Sequence, residues 1–457
     1  MATGDRKRIW GWYWFDWASQ PYHTVLLTFI YGPFFATVAA AFFVSSGLSE
    51  TAADARAQTV WSMCLTITGL IIGFGGPILG ALADTAGRRR PWIYFFTLLY
   101  VIGAWSLWYT DPEGGNMWAM LFAFGVGFIG AEFALVFING QLPGLVEDSE
   151  VGQTSGSGFA FGYLGGIAAL IIMLALFAEN DTGKTLIGIE PAFGLLDGST
   201  REGTRFVGPF VAVWFIVFMI PYFLWVHEND TPRRKHSISK ALSGLSNSIR
   251  ALKNRKSLLN FLLSSMFYRD ALNGLYGFGG VYATLVLDWQ VTSIGIFGII
   301  SAIAAALFSW LGGKVDSSVG PKPVIYGAII ALILVIVTIV GMDRDSVFGI
   351  QLAEGSNLPD MIMFGAGVVI GGMGGTLQAA SRSLMVRHAD PASPTEYFGL
   401  YGLSGRATAF IAPALIGLFT TVSGSARIGV SPLILLFLLG LVLLVWVQPD
   451  GEEFTTP

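Results

Sequence analysis

Long apolar runs separated by short polar loops follow one another along almost the whole chain. A bilayer core of roughly 30 Å is crossed by a helix of about 20 residues, so each run is long enough to span a membrane. The pattern predicts twelve membrane-spanning helices, six in each half. Their expected positions are 12–44, 57–84, 91–110, 116–140, 154–178, 205–226, 258–286, 291–313, 323–342, 359–386, 396–421 and 428–448.

A short charged motif occurs twice, and its repetition divides the chain into two related halves. Each copy has a glycine, an acid four residues later, a second glycine and a basic residue just beyond it. The copies are Gly80, Asp84, Gly87 and Arg88 and, with one extra residue before the second glycine, Gly312, Asp316, Gly320 and Lys322. Two pseudo-symmetric six-helix bundles, residues 1–226 and 257–457, are therefore predicted.

The segment 227–256 joins the predicted bundles and differs from them in composition. Its apolar residues recur at helical spacing among basic ones: Ile238, Leu242, Leu245, Ile249 and Leu252. This spacing predicts an amphipathic helix on the inner membrane surface, with a regulatory or partner-binding helix as the alternative. At the end of the chain, the acidic residues 450–457 predict a disordered cytoplasmic tail.

Composition and charge assign the chain to a membrane and give it an orientation. Hydrophobic residues make up 53% and charged residues 12% of the 457 positions, and the mean hydropathy is +0.63, which is far too apolar for a soluble domain. Of the 26 lysines and arginines, seventeen lie in loops on the side of the termini, six in the opposite loops and three within spans. Because cytoplasmic loops carry the positive excess, both termini are predicted to be cytoplasmic.

Polar side chains recur at helical spacing within the first, fourth, seventh and tenth spans, and one arginine lies within the eleventh. Such spacing places them on one helix face, and buried charge is costly unless it is paired or hydrated. They are therefore candidates for substrate or proton binding, with polar contacts between helices as the alternative. Adjacent positions face different ways, so Arg269 and Asp270 are expected to have different partners. The candidates are Asp16, Gln20, His23, Glu132, Asn139, Arg269, Asp270, Asn273, Gln378, Arg382 and Arg406.

The first copy of the charged motif resembles the loop between the second and third helices of the major facilitator superfamily. Further stretches are similar to its vacuole-effluxer branch, which is related to the yeast vacuolar amino-acid effluxers and widespread in bacteria. They are Asp16 to Tyr22, Glu132 to Asn139 with Leu142 and Pro143, and Gln378 to Ser383 with Glu396 to Gly399. The resemblance implies an all-α integral membrane protein with the major facilitator fold, acting as a monomer in the bacterial inner membrane.

The resemblance also implies roles for the candidate residues. The four polar spans would line a central cavity for a small polar organic solute, an amino acid or an organic acid, moved by proton-coupled alternating access, for example in efflux. The proton carrier would be Glu132, Asp16 or Asp270, and the substrate carboxylate would bind Arg269, Arg382 or Arg406. A cytoplasmic gate that holds the second helix against the eleventh would comprise Gly80, Asp84, Gly87, Arg88 and Asp316.

Two other functions fit the same architecture. A multidrug or lipid exporter would have a cavity of aromatics and methionines with a single acid, whereas three arginines lie within these spans. A receptor or scaffold that transports nothing would tolerate loss of the motif at 80–90, which is intact. An enzyme is not expected, because no nucleotide-binding loop follows a strand and the four histidines are scattered.

The expected partners are a small-molecule substrate, protons and the lipid bilayer. The lone Cys64 excludes an intrachain disulfide and a cysteine metal site. The histidines and acids show no spacing typical of metal ligands. No cofactor, metal ion or nucleic acid is therefore expected.

Overall fold

The computed structural model describes residues 3–180, 182–227, 238–289 and 291–452 of the 457-residue chain. Helices dominate these residues, and one antiparallel hairpin of β1 (Ser346–Val347) and β2 (Ile350–Gln351) is found among them. The helices before residue 228 are α1 (Thr3–Pro21), α2 (Tyr31–Ser45), α3 (Glu50–Ala86), α4 (Arg90–Ser106), α5 (Met117–Asn139), α6 (Val151–Leu176), α7 (Glu202–Arg205) and α8 (Val207–Trp225). The later helices are α9 (Ile238–Ala251), α10 (Lys256–Leu287), α11 (Val291–Val319), α12 (Pro321–Val340), α13 (Leu358–His388), α14 (Pro394–Ala407), α15 (Ile411–Ser423), α16 (Ala426–Gly429) and α17 (Pro432–Leu444).

Eleven helical segments of the described chain are long and apolar enough to cross a membrane. Each coincides with one of the twelve predicted runs. The remaining run, 258–286, is α10, which has 32 residues and ample length but carries Arg269 and Asp270 near its middle. The predicted all-α membrane architecture is confirmed.

A π-helix, Tyr22–Phe29, interrupts the first span directly after Pro21. Proline cannot donate a main-chain hydrogen bond, and π-helical turns are frequent at functional sites. The π-helix ends at Ile30, whose φ of −122° and ψ of −65° are not helical, and α2 continues from Tyr31. His23 therefore lies on a widened turn of the helix.

Contacts divide the chain into two compact units. The first comprises residues 1–75, 86–138 and 161–235, and the second comprises residues 76–85, 139–160 and 236–457. The second unit thus contains the end of α3 and the α5–α6 connection as well as the C-terminal helices. The division into bundles of residues 1–226 and 257–457 stays a prediction, and these contacts group the chain differently.

In the first unit, α1 is held against α6 and α8 by a close backbone approach and by stacked rings. A Cβ atom at Gly165 would lie 2.6 Å from the Trp17 carbonyl oxygen, so only glycine allows α6 to come this near. The Trp17 and Trp214 rings stack with centroids 5.8 Å apart, and the Trp214 indole N–H donates to the Trp17 carbonyl. This packing fixes the helix that carries Asp16 and Gln20.

In the second unit, α13 packs against α11 and α12, and α10 packs against α17. The eleventh predicted run is not one helix, because α14 ends at Ala407 and α15 begins at Ile411. The break comes one residue after Arg406. It exposes main-chain groups that a continuous helix would bond internally.

The linker and the tail are both ordered where the structure describes them. The helix predicted within 227–256 is α9, in which Leu245 is buried and Ser248 lies close to the Glu396 carboxyl; residues 228–237 lie outside the described residues. The prediction of a disordered tail is wrong for residues 450–452, because Glu452 accepts the Ser257 main-chain N–H and Asp450 accepts from the Arg387 side chain. Residues 453–457 also lie outside the described part of the chain.

Candidate functional site

The end of α3 caps α14 in the second unit. The main-chain N–H of Glu396, in the first turn of α14, donates to Asp84 Oδ2 at 2.9 Å. The first N–H groups of a helix have no partner inside the helix, and the helix dipole attracts negative charge to this end. Asp84 therefore satisfies and stabilises the start of α14.

Glycines let the backbones of α3 and α14 touch beside this cap. A Cβ atom at Gly80 would lie 2.5 Å from the Thr395 carbonyl oxygen, and one at Gly76 would lie 3.3 Å from Gly399 Cα. Thr395 is fully buried in this contact. Neither helix can carry a larger residue at Gly80 or Gly399 without moving away from the other.

The second copy of the motif makes the equivalent contact with α6. Asp316 is 1% exposed and lies against Gly152, where an added Cβ would be 2.5 Å from Asp316 Cγ. The next residue, Ser317, accepts the main-chain N–H of Gln153 through its hydroxyl oxygen at 2.8 Å. The repeated acid thus lies at the N-terminus of a helix in both halves of the sequence.

The Asp316 carboxylate is less well satisfied than that of Asp84. Ser383 and Arg387 lie close to it, but neither carboxylate oxygen has a partner at hydrogen-bond geometry among the described residues. A buried carboxylate without hydrogen bonds is costly. The contact between α11 and α6 is therefore less stable than its buried packing alone would suggest.

Two members of the predicted gate lie outside these contacts. Gly87 ends α3 with a φ of +69°, which suits glycine at a helix C-terminus. Arg88 is exposed. Arg90, the first residue of α4, donates from Nη2 to the Phe223 carbonyl at 2.6 Å.

Arg382 is buried among groups at the end of α5 and in the first turns of α6. Its Nε donates to Ser155 Oγ at 2.9 Å, its Nη2 to the Ser155 carbonyl at 2.7 Å, and its Nη1 to Asn139 Oδ1 at 3.2 Å. The guanidinium also lies 4.2 Å from the ring centroid of Phe159. These contacts favour the alternative of a helix-to-helix bond for Arg382 and Asn139 over substrate binding.

In the first unit, His23 and Glu132 come together from two helices. Their Nε2 and Oε1 atoms are 3.7 Å apart, and their side chains are 32% and 14% exposed. The His23 ring also meets the Phe128 ring edge to face, with centroids 5.8 Å apart. An imidazole and a carboxylate in partial contact with water can share and exchange a proton.

The other two polar residues of the first span lie nearby in sequence with different surroundings. Asp16 is 9% exposed, and the neighbouring α6 backbone approaches it at Gly162. The Gln20 amide donates to Thr24 Oγ1 at 3.5 Å. Of the three side chains of the predicted stripe, His23 contacts Glu132 and Gln20 bonds to Thr24.

Arg269 is held in a fixed position halfway along α10. Its Nη1 donates to the Tyr401 carbonyl at 2.9 Å, and its guanidinium carbon lies 4.3 Å from the Tyr401 ring centroid. Gly405, one turn further along α14, leaves room for the guanidinium, because a Cβ atom there would clash with it. Only one of its five N–H donors is used in a described hydrogen bond.

Asp270 has a different partner, as adjacent positions on a helix predict. Its Oδ2 accepts the main-chain N–H of Ala412 at 3.1 Å, in the first turn of α15. Its Oδ1 is buried without a hydrogen-bond partner among the described residues. Asp270 therefore stabilises the break between α14 and α15.

The remaining candidates are Asn273, Gln378 and Arg406. Asn273 is exposed, and Arg406 is partly exposed in the last turn of α14. The Gln378 amide donates to the Gly374 carbonyl of its own helix at 3.4 Å. Within the described residues, no group of three or more histidine, cysteine or acidic side chains could hold a metal ion.

Several residues of these sites were not predicted. Tyr401 and Gly405 position Arg269, Ser155 holds Arg382, and Thr395 fills the α3–α14 contact. The one feature of the sequence that pointed to this region was the stretch from Glu396 to Gly399, which is part of the family resemblance. Its position at the cap of Asp84 gives that resemblance a physical reason.

Comparison with known proteins identifies similar sequences along the whole chain. The family model described as "Vacuole effluxer Atg22 like" matches residues 4–452. YxiO of Bacillus subtilis (strain 168), described as an uncharacterized MFS-type transporter, is 25% identical over 444 residues, which cover 96% of this chain and 94% of YxiO. Autophagy-related protein 22-1 of Neosartorya fischeri is 23% identical over 318 residues, which cover 65% of this chain and 48% of the fungal protein. The chain thus matches about half the length of that fungal relative.

Solved structures of the major facilitator superfamily share the fold. The proton:xylose symporter XylE has a TM-score of 0.70 at 12% identity, covering 97% of this chain and 95% of XylE. The Escherichia coli fucose:proton symporter FucP has a TM-score of 0.68 at 14% identity, covering 97% and 98%. The human organic anion transporter MFSD10 has a TM-score of 0.66 at 14% identity, covering 96% and 99%. The predicted major facilitator fold is confirmed.

Proposed function

We propose, because this chain belongs to the Atg22-like family of vacuole effluxers, that it transports an amino acid or another small organic acid across a membrane by proton-coupled alternating access. Its membership makes it a multi-pass membrane transporter of the major facilitator superfamily. The proposal adds the substrate class, the coupling ion and the residues. With both termini on the positively charged side, the membrane proposed is a bacterial inner membrane.

The observation that carries the proposed substrate class is the position of Arg269. A guanidinium clamped between Tyr401 and Gly405 in mid-helix has lost most of its side-chain freedom before any ligand arrives. Its free donors form a planar fork that matches a carboxylate. An apolar drug has no carboxylate to bind this guanidinium, whereas an amino acid or organic acid has one.

The proposed proton carrier is Glu132 with His23. The two groups are near enough to exchange a proton directly or through one water molecule. XylE and FucP are described as proton symporters, so proton coupling occurs within this fold.

The proposed gate is the pair of helix-end contacts at Asp84 and Asp316. Parallel-repeat transporters alternate between states in which one end of the pathway is closed. A contact made of a carboxylate on a helix N-terminus and glycine backbones is tight yet reversible, since few side chains must interdigitate. Each opening would break the Asp84 cap and expose the start of α14 to water.

A thermal-shift screen of the purified protein against amino acids, organic acids, sugars and hydrophobic cations tests the substrate class. A ligand that binds the folded state raises the melting temperature by mass action. We expect stabilisation by a carboxylate-bearing solute, followed by its accumulation in proteoliposomes. Stabilisation by hydrophobic cations alone would favour an exporter, and binding without accumulation would favour a receptor.

Arg269→Lys is expected to raise the KM for the transported acid about tenfold, equivalent to about 1.4 kcal/mol, because lysine keeps the charge but not the planar fork. The maximal rate should change little. Initial rates in proteoliposomes over a range of substrate concentrations measure both values. An unchanged KM would remove Arg269 from the substrate site.

Gly405→Ala provides a second variant at the same site. The added methyl group would displace the guanidinium and should raise KM in the same way. Gly277→Ala in α10 is the matched control, because nothing lies within 4 Å of its added Cβ. Equal kinetics for the two alanine variants would argue against the clamped position of Arg269.

A further inference from the structure

The C-terminal segment 445–452 lies on a basic surface of the second unit. Lys322 Nζ donates to the Val447 carbonyl at 2.6 Å, and the Gln448 N–H donates to Ser257 Oγ at 2.7 Å. Arg387 Nη1 lies 2.9 Å from Asp450 Oδ1. These contacts join the last residues of the chain to α10, α12 and α13.

Glu452 makes the most enclosed of these contacts. Its Oε1 accepts the main-chain N–H of Ser257 at 2.7 Å, in the first turn of α10, and its Oε2 lies 3.5 Å from Arg255 Nε. The side chains of Arg255 and Glu452 are 16% and 19% exposed, whereas that of Asp450 is 87% exposed. Solvent weakens an exposed ion pair, so Glu452 should stabilise the docked tail more than Asp450.

A buried histidine orients Ser257 to receive the tail. The His388 ring is fully buried, with Nδ1 3.0 Å from the Leu384 carbonyl and Nε2 2.8 Å from Ser257 Oγ. Because the carbonyl only accepts, Nδ1 carries the proton and Nε2 accepts from the serine hydroxyl. The serine oxygen is then free to accept the Gln448 N–H.

Arg255 connects the tail to the α3–α14 contact. Its Nη1 donates to Tyr397 Oη and its Nη2 to the His388 carbonyl, both at 2.8 Å. Tyr397 directly follows Glu396, whose N–H is bound by Asp84. One arginine therefore joins the Glu452 carboxylate to the first turn of α14.

The backbone of the tail is shaped for this position. Gly451 has a φ of +81°, which favours glycine, and an added Cβ would collide with the Arg387 carbonyl oxygen. The surface supplies three cations, Lys322, Arg255 and Arg387, to a segment that carries two acids. Charge and backbone shape both fit this segment of the chain itself.

We propose that this surface is a binding site for the acidic C-terminal segment, and that the docked tail stabilises the contact between α3 and α14. Release of the tail would free Arg255 and Tyr397 and make separation of the two helix ends easier. The tail is then an internal regulator of the proposed gate. The expected effect of the tail on transport rests on the proposed function. Docking of the tail and the contact between α3 and α14 can be measured without any transport.

Cysteine alkylation of the purified full-length chain tests the proposal without any substrate. Cys64→Ser removes the lone native cysteine, and Thr395→Cys places a reporter thiol in the fully buried α3–α14 contact. In this background, Glu452→Gln and Gly451→Ala are each expected to raise the rate at which maleimide reacts with the reporter thiol about fivefold, the low end of typical coupling effects. The controls are Glu354→Gln, an exposed acid in the loop before α13, and Gly355→Ala, a loop glycine with positive φ and no neighbour within 4 Å.

A chain that ends after Pro449 gives the same measurement without a substitution in the tail. Its reporter thiol should react as fast as in Glu452→Gln, and a synthetic peptide of residues 445–457 should slow the reaction again. Rates equal to the parent in the tail variants, or equal increases in the controls, would overturn the proposal. Because the assay involves no transport, its failure would leave the proposed substrate class and Arg269 untouched.

Discussion

Glu132→Gln is expected to abolish proton-driven accumulation of substrate in proteoliposomes while exchange of substrate across the membrane continues. Glutamine has the shape and neutrality of a protonated glutamate, so the variant can complete the substrate-loaded half of the cycle but cannot release a proton. His23, 3.7 Å away, would lose its acidic partner as well. Uptake under an imposed pH gradient and exchange without a gradient measure the two activities.

Glu147→Gln is the matched control for this variant, because Glu147 is an exposed acid in the connection that follows α5. It should accumulate substrate like the parent. Accumulation by Glu132→Gln at the parental level would exclude Glu132 as the coupling acid. Asp270, which has a buried carboxylate oxygen without a hydrogen-bond partner among the described residues, would then be the next residue to test.

The positions of Asp84 and Asp316 at helix ends were predictable because the motif occurs twice in the sequence, whereas the partner helix of Asp84 was expected only from the family resemblance. Asp84 and Asp316 each follow a glycine by four residues at the end of an apolar run, and that spacing puts glycine and acid on one face. The different partners of Arg269 and Asp270 also follow from helical geometry. Local spacing is sufficient for such predictions, since the direction of a side chain from its own helix is a local property.

The partners themselves were not predictable. Arg382 was one of the residues predicted to bind the substrate carboxylate. Its described hydrogen bonds instead reach Ser155 and Asn139, which lie 227 and 243 positions earlier in the chain. Nothing in one sequence indicates which distant hydroxyl or amide will lie beside a buried arginine. Long-range packing decides between a binding role and a structural role, and it leaves no periodic signal.

The prediction of a disordered tail was wrong because it considered the composition of the segment alone. Acidic residues after the last apolar run have the composition of a disordered end, yet Glu452 bonds to Ser257, 195 positions away. A helix N-terminus and an arginine supply the attraction, and both become available only when α10 and α14 are in place. Composition describes what a segment can do alone, and here the surface is provided by the rest of the chain.

Gly399→Ala is expected to reduce the transport rate about a hundredfold, equivalent to about 2.7 kcal/mol. The added Cβ would lie 2.5 Å from the backbone nitrogen of Pro77, so α3 and α14 could no longer close on each other. Intrinsic helix propensity acts in the opposite direction, since alanine in a helix is favoured over glycine by about 1 kcal/mol. The expected loss therefore comes from the helix contact and not from a weaker helix.

Gly417→Ala in α15 separates the two effects, because nothing lies within 4 Å of its added Cβ. This control should keep the parental transport rate and melt slightly higher. Gly399→Ala should instead react faster at a cysteine reporter at position 395, while both variants remain monodisperse. If Gly399→Ala transported like Gly417→Ala, closure of α3 on α14 would not be a step of the cycle, and Asp84 would be a helix cap without a role in the gate.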